Sequence, residues 1–300
     1  MSGTIATSTA VDLSRLPPPD VVEPLDYETI LQVLKDELAA RLPEFDGWQE
    51  SDPAMKLLEI AAYREMILRQ RVNDAGRAVM LAYATGGDLD QLGALFGVPR
   101  RELVPADPDI GAAAVMEADQ DLRRRLLQAP DSYSVAGPRL AYVFHALSAD
   151  GDVLDASATS PAPGEVVVSV LSRQGDGTAA PELLAAVEEA VAADDVRPLT
   201  DAVTVQSAQI VPFAIEAELT LFPGPDPNLI LETAQAAVAD ILATHRRIGR
   251  DIPRSALFAA LHGGGVQNVN LIAPAADVAV AETGAAWAQD IAISIAGFDQ

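Results

Sequence analysis

SDPAMKLLEIAAYREMILRQRVNDAGRAVMLAYATGGDLDQLGALFGV occupies residues 51–98, and its reading decides the fold. Asp52 can accept from the free amides of a helix start, and Pro53 suits the first helical position. From there Leu57, Leu58, Ile60, Ala61, Ile67, Leu68, Val72, Ala75 and Val79 recur at helical spacing and give a long apolar face. Gly86-Gly87 is the first strong stop, so the pattern predicts one helix over 53–84, about 45 Å long at 1.5 Å per residue. A rod of that length is longer than a small domain is wide, and such helices pack against other long helices. Asp88 then caps a short helix, LDQLGALF, closed by Gly97.

Working towards the N-terminus, Tyr27, Ile30, Leu31, Leu34, Leu38 and Leu42 form another helical stripe, ended by Pro43. Residues 1–24 are polar and rich in proline (Pro17, Pro18, Pro19, Pro24), which reads as an extended arm without its own core. Residues 25–110 are therefore a helical region. Pro105, Pro108 and Gly111 mark a linker out of it.

Beyond the linker the pattern changes. Short helices are expected at 119–128 and after Gly137-Pro138. Strands follow near 152–158 and 165–172, where EVVVSVL is a β-branched run suited to a buried strand, and then a helix at 181–194. Residues 202–222 hold one or two strands with Pro212 as a bend or edge. A helix at 228–244, a short helix at 255–262 and strands at 266–272 and 290–296 complete the chain. The class is α+β: an N-terminal helical region, then two small mixed α/β units at 111–206 and 207–300. Pro138-Arg139 and Pro253-Arg254 each open a helix that leads to a strand, a proline and a further strand. This order suggests two related units, with chance resemblance an equal alternative.

Composition excludes several functions. A formal charge of -24 argues against a phosphate backbone as partner. With no cysteine, disulfides, thiolate chemistry and Cys-based metal sites are ruled out. No apolar run approaches the ~20 residues that span a bilayer, and the first residues lack the order of a signal peptide. The expectation is synthesis in the cytoplasm, with export only as part of an assembly. Lysine occurs only as Lys35 and Lys56; the other cations are arginines, the better interface cation.

Chemistry is hard to find. His145, His245 and His262 have no metal-ligand neighbour at helical spacing, and His145 reads as a half-buried, hydrogen-bonded residue. His262-Gly263-Gly264-Gly265 spells an esterase oxyanion loop, but no Gly-x-Ser-x-Gly elbow accompanies it, and a turn explains it. Gly175-Asp176-Gly177 completes no phosphate loop. Two of the many carboxylates could meet in a cleft as in a glycosidase, though no particular pair is marked. No catalytic, cofactor or metal residues are assigned. Arg123, Arg124 and Arg125 form a basic patch in an acidic chain, either a solvated helix face or a docking site for an acidic surface.

Residues 25–300 resemble the baseplate J-like family, the wedge proteins of contractile phage tails and related injection machines. The likeness rests on 51–98 and its Gly-Asp-Leu-Asp-x-Leu-Gly turn. It continues through Gly137, Tyr142, Asp152-Val153 and Pro163-Gly164 to the strand 166–170. Val196-Arg197-Pro198-Leu199-Thr200-Asp201 and Ile252-Pro253-Arg254-Ser255 with Gly265-Val266 complete it. The resemblance implies a structural subunit, not an enzyme, in a ring around the hub and spike. Its partners would be other copies of itself, other wedge proteins, sheath and hub components. The interface helix would be 53–84, presenting Leu57, Ile60, Ile67, Leu68 and Val72. Arg197 and Asp201 could pair within a turn that Pro198 stops. The competing readings are a carboxylate-dependent cell-wall hydrolase and a host-binding adaptor.

Overall fold

A computed structural model describes residues 19–134, 137–194, 196–224 and 226–299, which fall into two compact units, one up to Arg100 and one from Arg101. The first is helical. α1 (Tyr27–Arg41) starts at Asp26, whose carboxylate accepts from the Thr29 amide, and α2 (Pro53–Ala78) starts at Asp52, which accepts from the Ala54 amide. Tyr27, Ile30, Leu31 and Leu34 of α1 pack on Met55, Leu58, Ala62 and Met66 of α2. α3 (Gly86–Leu95) closes the unit, with Leu89 fully buried.

Two boundaries differ from the expectation. α2 has 26 residues, about 39 Å at 1.5 Å per residue, and stops at Ala78 instead of running to 84. Residues 79–84 continue as separate turns, and Ala84 is buried, a tertiary demand that helical periodicity does not carry. Thr85, not Asp88, is the N-cap residue of α3; Asp88 lies in the first turn, where its charge faces the positive end of the helix.

The segment before α1 is pinned to α2. Asn73, 2 % exposed, accepts from the Glu23 amide at 3.1 Å and donates to the Glu23 carbonyl at 2.8 Å. Gly76 sits inside α2 because a Cβ there would press on Val21 at 3.1 Å. The arm at 1–24 thus has a docked end at 21–23; residues 1–18 lie outside those described.

The second unit begins with a short pair, β1 (Glu102–Val104) against β2 (Val115–Met116), within the stretch expected to be plain linker. α4 (Asp119–Ser132) runs four residues further than expected and carries Pro130 inside it. Then come α5 (Arg139–Ala149), β3 (Val153–Thr159), β4 (Glu165–Ser172), α6 (Pro181–Ala192) and β5 (Ala202–Ser207). In their sheet β4 is central, antiparallel to β3 and parallel to β5. β6 (Gln209–Leu221), α7 (Pro227–His245), α8 (Arg254–Leu261), β7 (Val266–Ala273) and β8 (Gly284–Phe298) follow. Here β6 is central, antiparallel to β7 and parallel to β8. Pro212 pairs only with Trp287 of β8, before β7 joins, so it sits at a local edge where a missing amide does no harm.

The two sheets share one plan in permuted order. Moving β4–α6 ahead of α5 turns α5–β3–β4–α6–β5 into the order of β6–α7–α8–β7–β8. The Pro-Arg pairs mark the equivalent helices, and their arginines do the same task. Arg139 Nε donates to the Ala158 carbonyl of β3, and an Arg254 guanidinium nitrogen donates to the Leu271 carbonyl of β7 at 2.9 Å. The likeness in chain order ends there, because the next strand is central in one sheet (β4) and an edge in the other (β8).

The sheets are not separated by a linker. Only Ala208 stands between β5 and β6, and with Leu171 and Ala285 it forms a small core, flanked by Leu154, Ile210 and Ile248.

Candidate interaction surfaces

α2 has two apolar faces. Met55, Leu58, Ala62 and Met66 turn towards α1. Leu57 begins a second stripe roughly 200° away round the helix. There Leu57, Ile60, Ile67, Leu68 and Val72 are 68, 60, 42, 65 and 58 % exposed, and Tyr63 and Val79 are also exposed. Arg64 and Arg71, one heptad apart, lie exposed within this stripe and form no ion pair among the described residues. Lys56, Arg69 and Arg77 of the same helix are each paired with a carboxylate. The five apolar residues assigned from sequence are thus all exposed on the side of α2 turned away from α1.

The basic patch at 123–125 does not form a surface. Arg125, 4 % exposed, holds buried Glu117 through two bonds of 2.9 Å. Arg124 pairs with Asp155 of β3 at 2.9 Å, and Arg123 is half-buried on α4. α4 turns Arg125 inwards because Leu122, Leu126 and Ala129 lie on its side of the helix and are fully buried. An interior guanidinium must be paired, and these are.

This pairing belongs to a larger network at the junction of the two sheets. Asp121 accepts from Arg173 and Arg247 at 2.9 Å each. Asp155 also accepts from the Ile248 amide at 2.9 Å. Arg246 donates to the Gly175 carbonyl and lies over the Trp287 ring, 4.6 Å from its centroid. Burial pushes the Arg247 guanidinium below its ordinary value, as does the nearby Arg124 charge. The turn after α7 is thereby plugged into the α4–β3–β4 region. Sequence reasoning missed Glu117, Asp121, Asp155 and Arg247; their partners lie from eight to 126 residues away.

A second convergence involves the motif residues. The Tyr142 hydroxyl donates to Asp201 Oδ2 at 2.8 Å, and Arg197 donates to the carbonyls of Ala192 and Asp201. The expected Arg197–Asp201 ion pair is therefore replaced: the Asp201 carboxylate is taken by Tyr142. Gly137 (φ 72°) admits no Cβ, which would meet Pro198 at 2.7 Å, and the Gly164 carbonyl accepts from the Ala202 amide. Motifs scattered over 137–201 thus close one turn, which leaves Leu199 93 % exposed. Burial pushes the Tyr142 hydroxyl well above its ordinary value, reinforced by the Asp201 hydrogen bond.

The remaining candidates are structural. His145 is half-buried with its ring edge-on to Phe144, His245 bonds the Asp251 carbonyl at 3.0 Å, and His262 caps α8. Gly263–Gly265 is a turn into β7, and Gly175–Gly177 is a turn after β4. No metal-holding group of His, Cys, Asp and Glu occurs among the described residues.

The sequence matches the Baseplate J-like N-terminal domain over residues 50–107, the Baseplate J-like central domain over 134–207 and the Baseplate J-like protein C-terminal domain over 213–294. The chain belongs to the baseplate J-like family. Baseplate protein J of Escherichia phage P2 is 47 % identical to it over 299 residues, covering 97 % of this chain and 99 % of that one. A chain in the cryo-EM structure of the anti-feeding prophage baseplate is 18 % identical with a TM-score of 0.36, over 60 % of this chain and 42 % of that one. As a baseplate J-like protein the chain is a structural baseplate component and not an enzyme. The hydrolase reading ends with that assignment, and of the motif residues that carried the resemblance Gly137, Tyr142, Gly164, Arg197, Pro198 and Asp201 build the Asp201 turn.

Proposed function

We propose that this baseplate J-like protein is a wedge subunit. It joins a ring around the central hub and spike, with copies of itself, other wedge proteins and sheath as neighbours. It is made in the bacterial cytoplasm and ends in the tail baseplate of a virion or of an extracellular tail-like particle. The observation that carries this reading is the second apolar face of α2. A helix already covered by α1 on one side has no internal need for Leu57, Ile60, Ile67, Leu68 and Val72 on the other. Contiguous exposed apolar surface of this kind marks a protein interface. Arg64 and Arg71 within it call for carboxylates on the helix that covers it.

Contraction reorganises interfaces between rigid bodies. The body from 101 to 299 suits that role, since a shared core and a charge network join its two sheets. The test is the double substitution Ile67→Asp and Leu68→Asp. Both side chains are exposed, so the free chain should keep its fold to within about 0.5 kcal/mol, while baseplates fail to assemble. Complete baseplates carrying the double variant would refute the reading.

A further inference from the structure

The outer strands of the two sheets are treated differently. On β3 the Leu154 carbonyl accepts from Arg124, the Ala158 carbonyl accepts from Arg139, and the Ala156 amide donates to Asp155. On β7 the Leu271 carbonyl accepts from Arg254. These side chains occupy backbone groups that could otherwise recruit a foreign strand. β5 lacks such caps but has only six residues. β8 has 15 residues, and among the described residues no side chain or loop bonds the backbone of its outer edge from 288 to 298.

Two bulges delimit the usable part of that edge. Phe213 pairs with Ala288 and Ala214 with Asp290, leaving Gln289 extra; Leu219 pairs with Ile295 and Thr220 with Gly297, leaving Ala296 extra. Between them residues 290–295 run in regular register, a window of about 20 Å at 3.3 Å per residue. On the helix-covered face this window presents Ile291, Ile293 and Ile295, of which Ile291 is 46 % exposed. On the open face it presents Asp290, Ala292 and Ser294. Glu216 lies beside Ala292 and Glu218 beside Ser294 on the neighbouring strand. Ala292 and Ser294 are short, so a long side chain on an added strand could cross them to reach the two glutamates.

We infer that β8 is a strand-addition site, and that its occupant is an extended segment of a different chain alternating apolar residues with lysine or arginine. The apolar set continues the Ile291–Ile293–Ile295 row, and the cations answer Glu216, Glu218 and Asp290. No strand among the described residues of this chain supplies such a segment, because none of the eight contains a lysine or an arginine. The inference rests on the baseplate reading and adds a second interface to that of α2.

Hydrogen exchange on the full chain, free and within purified baseplates, tests it. The outward-pointing amides within 290–295, those not already bonded to β6, should exchange at least tenfold more slowly in the assembled state. Unchanged exchange in baseplates that contain the chain would overturn this inference alone; absence of the chain from baseplates would overturn the wedge reading as well. Two folded variants test the chemistry. Ala292→Lys with Ser294→Lys places cations over Glu216 and Glu218 and should block incorporation. Ala292→Ser with Ser294→Ala should incorporate normally. Equal incorporation of both would overturn the inference. Exchange at 290–295 in the free chain that slows with protein concentration would point to a second copy and overturn the identity of the occupant.

Discussion

Tyr142 and Asp201 illustrate what single residues contribute. Removing the hydroxyl in Tyr142→Phe leaves a carboxylate without its donor and should cost about 1–3 kcal/mol in urea unfolding at neutral pH. The pH dependence has a definite sign. The Tyr142 value is raised on folding, so its contribution is complete below the ordinary tyrosine value of about 10 and declines as pH rises above it. The wild-type chain should lose stability above that pH, and Tyr142→Phe should lose less over the same range; parallel curves would show that Tyr142 is not the group responsible. Glu117 and Arg125 form the other residue-level test. Arg125→Ala strands a buried carboxylate and should cost about 3–5 kcal/mol, whereas Arg125→Met with Glu117→Leu should recover most of that loss in thermal unfolding. Neither pair was legible in the sequence as a pair. Tyr142 and Asp201 stood in separate motifs, and the run Arg123-Arg124-Arg125 suggested a surface because charge alone does not say which side of α4 faces in.

At the level of elements, periodicity and capping did most of the work. Asp26, Asp52 and Asp226 each cap a helix through a side-chain bond to a backbone amide; of these Asp52 was assigned from sequence, whereas the assigned Asp88 lies in the first turn of its helix and Thr85 is the N-cap residue. The stripe of α2 was legible as apolar but not as two stripes, since one helix face and its opposite both satisfy the helical spacing. The docked segment at 21–23 was hidden for a different reason. It hangs on Asn73, a polar residue that reads as solvent-facing until its 50-residue-distant partner is known. Asn73→Leu should leave the backbone amide and carbonyl of Glu23 unpaired. Limited proteolysis should then cut before Tyr27 faster than in the wild type, while α1–α2 stays helical by circular dichroism. Unchanged cleavage would mean that Asn73 does not hold the segment.

For the whole molecule, the α+β class follows from the change of period near residue 101. The union of the two sheets does not, because it depends on Asp121, Asp155, Arg173 and Arg247 meeting across long sequence separations. The permuted order of the two sheets also escapes linear comparison, which aligns β4 with β8 although one is central and the other an edge. The account of function rests on the outer face of α2 being covered by another chain. Native cysteine is absent, so a single Leu68→Cys substitution places a unique thiol on that face. A thiol-reactive probe should label it readily in the free chain and at least tenfold more slowly in assembled baseplates. Equal labelling in the two states would contradict the account.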